Sequence, residues 1–165
     1  MPDTKLLKIY LEDHHAGSVV GVELAKRCLT NNQGSPLGEF LRGFIRELEE
    51  NQTFLEEVMA GVGAAPHRFK DSAAWVTEKL GRLKLNGQIT GYSDLSRVVE
   101  LEGLCVGLAG QLSLWKNLSY VSGIDATLAT TDFGQLEKNT ESLLEQVTEH
   151  RLEAARRAFA GTIVR

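Results

Sequence analysis

Residues 35–61 read SPLGEFLRGFIRELEENQTFLEEVMAG, and this stretch decides the fold. Ser35 is a good N-cap, because its hydroxyl can accept a hydrogen bond from an orphan N–H of a first helical turn. Pro36 suits the first helical position, where its missing N–H costs nothing. Beyond them Leu41, Phe44, Leu48, Asn51, Leu55 and Val58 recur at alternating spacings of three and four. That is the period of a helix burying one seam in a bundle. Gly61 and Gly63 end it.

Working outward, the preceding segment predicts a long helix from Thr4 to about Thr30, capped by Asp3 or Thr4. Its seam is Leu7, Leu11, His14, Ser18, Gly21, Ala25 and Cys28, and it ends in the turn cluster Asn31-Asn32-Gln33-Gly34. So short a link makes the two helices antiparallel neighbours. A third long helix is expected from Ser93 or Asp94 to about Tyr120, with Leu95, Val98, Glu102, Cys105, Ala109 and Leu112 on its seam. A fourth runs from Asp132, at capping-box spacing from Gln135, to about Ala160. Its seam is Leu136, Thr140, Leu143, Val147, His150 and Ala154.

Between the second and third helices, Val62 to Tyr92 carries a loop with Pro66 and His67, a short helix from Asp71 to about Leu83, and breaks at Asn86-Gly87 and Gly91. A link of about thirty residues suits a crossover running the length of a bundle better than a tight hairpin. Trp75 is expected to pin the short helix to the bundle. The fold class is therefore all-α: one domain over residues 1–165, a four-helix bundle with a long crossover.

The composition fits. The chain is 42% hydrophobic, 24% charged and only 7% aromatic, ordinary for a globular protein. A net charge of −4 without clustered Lys and Arg gives no nucleic-acid footprint. Arg151, Arg156, Arg157 and Arg165 read as cations favoured at a helix C-terminus. Cys28 and Cys105 lie in apolar patterns without C-x-x-C spacing, which suggests two free thiols in a reducing compartment. Met1 to Tyr10 has no signal-peptide apolar region, and the uncharged stretch from Gly103 to Trp115 is too short to span a bilayer. A cytoplasmic protein without membrane or nucleic-acid partners is the expectation. No phosphate-binding glycine loop and no nucleophile motif is present.

Glycines crowd two helices. The first has Gly17 and Gly21 beside Ala16, Ser18 and Ala25, and the third has Gly103, Gly107 and Gly110 beside Ala109. Each glycine costs about 0.5–1 kcal/mol relative to alanine inside a helix, so the missing side chains must serve something. Close approach of the two helices is the simpler expectation, and a ligand cavity the alternative.

Four seam positions are polar: His14, Asn51 or Gln52, Glu102 and His150, one from each long helix. Buried polar groups need partners. One reading joins them as a metal site, with Glu12, His15, Glu47 and Glu50 within a turn and iron or manganese as the metal. The other leaves His14 and His150 as core histidines bonded to Glu102 and Gln52, with Glu47, Glu49 and Glu50 as a solvated face paired to Arg42 and Arg46. The second reading, with no cofactor, is the main expectation.

The segment from Arg46 to Met59, RELEENQTFLEEVM, resembles the second helix of ferritin-like bundles, in which an acidic stretch precedes an apolar run. The resemblance covers the four long helices and implies a ferritin-like crossover, in a bacterial branch. A di-iron bundle places a Glu-x-x-His pair on each of two helices. Here Glu49 meets Gln52 and Glu50 meets Thr53, while the residue three before His150 is Val147. The expected function is accordingly non-enzymatic, acting through self-association as a homo-oligomer such as a dimer, or through protein binding. The alternatives are a metal-dependent oxidase or storage protein using His14, Glu47, Glu50, Glu102 and His150, and a small-molecule-binding bundle.

Overall fold

A computed structural model of the chain describes residues 4–66, 91–123 and 128–160. Among them are four helices: α1 (Thr4–Asn31), α2 (Pro36–Gly61), α3 (Asp94–Ser122) and α4 (Phe133–Phe159). The short helix expected from Asp71 to Leu83, with Trp75 and His67, lies outside the described residues.

Local chemistry sets the helix ends. The Ser35 hydroxyl accepts from the Gly38 N–H at 3.1 Å and caps α2, with Pro36 opening it. Gly38 itself is required by a close approach: a Cβ there would strike the backbone carbonyl oxygen of Asn32. Gly34 takes a φ of +74°, which lets the α1–α2 turn close in four residues. Ser93 caps α3 in a capping box with Ser96, and the Asp132 carboxylate accepts from the Gln135 N–H at 3.0 Å to cap α4.

Helix directions follow from the cross-helix pairs. His15 meets Glu56 and Lys26 meets Glu49, so α1 and α2 are antiparallel. Arg27 meets Glu100 and Tyr10 meets Asn117, so α1 and α3 are antiparallel as well. Lys116 meets Glu141, and Cys105 meets Thr148, so α3 and α4 form a second antiparallel hairpin. Hence α2 and α3 run the same way, and α3 begins at the end of the bundle opposite to the one where α2 stops.

The core has two parts. One is built on Leu24, Leu41, Phe44, Leu101, Leu104, Leu108 and Val147. The other surrounds Trp115, which is fully buried beside Phe54 and Phe133 at ring distances of 5.9 and 6.4 Å. The expected seams of α2 and α4 match the buried residues, apart from half-buried Leu48, Leu136 and His150.

Two seams need correction. On α3 the buried line is Val98, Leu101, Leu104, Leu108, Trp115 and Leu118, while Glu102 and Ala109 are exposed. The stride from Val98 is three residues to Leu101 and three again to Leu104, where the expected seam steps four to Glu102. On α1 the buried histidine is His15, not His14. α3 is also the one described helix long and apolar enough, by length and composition, to cross a membrane.

Candidate functional site

The register that sets Arg27 against Glu100 and Tyr10 against Asn117 also sets Leu24 opposite Gly103, Gly21 next to Gly107, and Gly17 opposite Gly110. The outcome differs along this line. At Gly103 the helices touch, and an added Cβ would lie 2.8 Å from the Leu24 Cδ2 methyl. At Gly17, Gly21, Gly107 and Gly110 an added Cβ would meet nothing within 4 Å. Close packing therefore explains one glycine, and the other four face open space.

That space is a cleft of about 270 Å³. α1 contributes Asp13, His14, Gly17, Ser18 and Gly21. α3 contributes Leu104 to Leu114 along one side, with Gly107 and Gly110 at the gap. The far wall is α2, through Phe44, Leu48, Asn51 and Leu55. Exposed Asp13, Gly17, Val106 and Gly107 form the rim, and buried Phe44, Leu55, Leu104, Leu108 and Leu114 the floor. The missing glycine side chains thus open a window between α1 and α3 onto the apolar inner face of α2.

One polar group stands in that floor. Asn51 is 8% exposed, and its Nδ2 has no hydrogen-bond partner among the described residues. A buried, unmatched amide N–H costs about 1–3 kcal/mol, and this one is closed off from the cleft as it is from solvent. Nearer the rim, His14 packs edge-on to Tyr10 at 4.5 Å, and burial lowers its pKa from the ordinary value despite the opposing Asp13 charge.

A second polar cluster ties the bundle together at the α1 C-terminal end. Glu100 is 1% exposed and accepts from Arg27 Nε at 2.6 Å and from the Tyr92 hydroxyl at 2.8 Å. Asn32 Nδ2 donates to the Tyr92 oxygen at 2.9 Å and to the Cys28 carbonyl at 2.7 Å, while Arg97 Nε donates to Asn32 Oδ1 at 2.7 Å. Burial, reinforced by the Glu100 charge, pushes the Cys28 thiol up to about 12, so it is not a nucleophile at neutral pH. Burial pushes the Tyr92 hydroxyl up as well. Both Glu100 oxygens and the Asn32 amide are matched, so this cluster is a clasp joining the α1–α2 turn to the start of α3.

The residues expected to form a metal site are dispersed. Glu47, Glu50 and Glu102 are exposed. His14 lines the cleft, whereas His150 lies against the Phe40 ring at 4.4 Å in a separate recess with Arg97 and Arg157. Among the described residues no three of His, Cys, Asp and Glu come together where they could hold a metal ion. Nor do the histidines pair as expected. The buried His15 Nε2 meets Glu56 at 2.8 Å, and Glu49 pairs with Lys26 and Glu39 with Arg42. Sequence reasoning missed Glu100 by choosing Glu102 two residues away, on nearly the opposite side of the helix. No family model, no curated protein and no solved structure matches this chain.

Proposed function

We propose that this chain is a ligand-binding four-helix bundle that takes a small apolar molecule into the cleft between α1, α2 and α3. The observation that carries the reading is the open space of about 270 Å³ that four helical glycines leave above a floor of Phe44, Leu55, Leu104, Leu108 and Leu114. A few placed polar groups in an apolar concavity is the usual make-up of a small-molecule site. The four glycines facing open space agree, because each lowers helix stability and gains no helix contact in return. The metal-dependent reading draws less support, since its proposed ligands stand apart. The parallel course of α2 and α3 favours a ferritin-like chain path for the bundle.

The test is thermal unfolding with naphthalene as the probe. Wild-type protein is expected to be stabilised by the probe in a saturable way. Gly21→Leu, which puts an isobutyl group into the cleft, should remove that response while the variant stays folded. Equal stabilisation of both proteins, or none of the wild type, would defeat the reading.

A further inference from the structure

A second concavity, of about 240 Å³, lies at the end of the bundle where the α1–α2 turn, the start of α3 and the last turns of α4 converge. It shares no lining residue with the cleft between α1, α2 and α3. Arg97 from α3 and His150 and Arg157 from α4 stand on its walls, and Pro36, Leu37 and buried Ala154 supply its apolar surface.

The charges around it do not balance. Among the described residues Glu153 is the one carboxylate on the wall, and it accepts from both Arg156 and Arg157, so two guanidiniums share a single negative charge. Arg97 donates through Nη1 to Asp94 at 2.6 Å and through Nε to Asn32 at 2.7 Å, and Asp94 stands outside the recess. In a chain of net charge −4 the recess is thus a positive spot. The helix dipole favours Arg156 and Arg157 at the C-terminal end of α4. It gives no reason for Arg97, which stands at the start of α3, where a cation faces the positive end of a helix. Arg97 is also fixed in advance, by two hydrogen bonds and by the Tyr92 ring at 5.5 Å. Its Nη2 and both Nη atoms of Arg157 have no hydrogen-bond partner among the described residues. Such forks match the oxygens of a phosphate group.

Size says what else the ligand carries. A cavity of about 150 Å³ takes a benzene ring, so by proportion the recess takes roughly ten non-hydrogen atoms, more than a bare phosphate ion. We propose that the recess binds a small organic phosphate monoester, its phosphate oxygens held by Arg97 and Arg157 from two helices with the His150 imidazole beside them. The organic part lies on Pro36, Leu37 and Ala154. A monoester carries close to two negative charges at about pH 7, one for each guanidinium, whereas a carboxylate brings one.

Phenyl phosphate and benzoate, titrated calorimetrically into the full chain at about pH 7 and low salt, test this. Phenyl phosphate should bind, and benzoate should bind about tenfold more weakly. Benzoate as tight as phenyl phosphate overturns the phosphate assignment, and no binding of phenyl phosphate up to about 10 mM overturns the site. Arg157→Gln should weaken phenyl phosphate about tenfold, the effect of losing one charge-assisted contact. Arg151→Gln removes the same charge from α4 outside the recess and should change binding by less than about twofold. Equal losses in the two variants reduce the effect to net charge and overturn the inference. In proton NMR the His150 imidazole resonance should move on titration while that of His14, in the cleft, stays; movement of His14 alone places the probe in the cleft and overturns the inference. Gly21→Leu, which fills the cleft, should leave phenyl phosphate binding unchanged, so this site and the cleft stand or fall separately.

Discussion

Replacing the four open glycines by alanine separates a real gap between α1 and α3 from a tight seam. Gly17, Gly21, Gly107 and Gly110 all sit inside helices, and a Cβ at each would meet no atom within 4 Å. Nothing opposes the gain in helix propensity, about 0.5–1 kcal/mol per site. The quadruple alanine variant should be more stable by about 2–4 kcal/mol if the sites are independent. For a domain of this length that raises the melting temperature by roughly 5–15 °C. Gly103→Ala is the internal contrast. Its Cβ would fall 2.8 Å from the Leu24 Cδ2 methyl, so Leu24 must leave a well-packed rotamer and the gain is lost. Urea unfolding followed by circular dichroism measures all five substitutions at unchanged slope. If Gly21→Ala and Gly107→Ala bring no more stability than Gly103→Ala does, α1 and α3 touch along their whole length and the cleft does not exist in solution.

Three other outcomes follow from the same geometry. Asn51→Leu should stabilise the ligand-free protein by about 1–2 kcal/mol, since it removes an unmatched buried donor; a loss in the urea midpoint would mean the amide is satisfied. Glu100→Gln removes the buried charge that meets Arg27, whose side chain is 24% exposed, and should cost about 2–3 kcal/mol, with part recovered by the double change Glu100→Leu, Arg27→Met; no recovery would sink the clasp as drawn. Burial holds His14 and His150 below their ordinary pKa of 6.5, so the unfolded chain takes up protons first. Stability is then complete above about pH 6.5 and declines as pH falls toward the folded values, and His14→Gln with His150→Gln should flatten that decline between about pH 7 and pH 5.

The bundle was legible where the helices are strongly two-faced. In α2 and α4 the polar residues Glu39, Arg42, Glu49, Glu141 and Glu145 alternate with the seam, so phase and length both show in the sequence. α3 is different. Leu95, Val106 and Ala109 are exposed yet apolar, so two strides fit equally well, and choosing the wrong one brought Glu102 inward in place of Glu100. In α1 the adjacent pair His14-His15 posed the same ambiguity. Tyr92 and Asn32, which complete the Glu100 cluster, lie in turn segments, where spacing rules say nothing about side-chain direction. The glycines were visible, but a missing side chain looks the same in sequence whether a neighbouring helix or open space replaces it. Asn51 was legible as a polar seam residue; its want of a partner was not.

The helix order gives the cleft a kinetic setting. Contacts within α1–α2 and within α3–α4 are short in sequence and form early, whereas those between α1 and α3 close a long loop. The cleft lies across that late-formed boundary, with walls drawn from both hairpins. A molecule seated there acts as a splint between two halves that also meet through the shared core, the Leu24–Gly103 contact and the Glu100 clasp. Its first measurable effect would be slower exchange of backbone amides along α1 and α3, the surfaces exposed when the hairpins part.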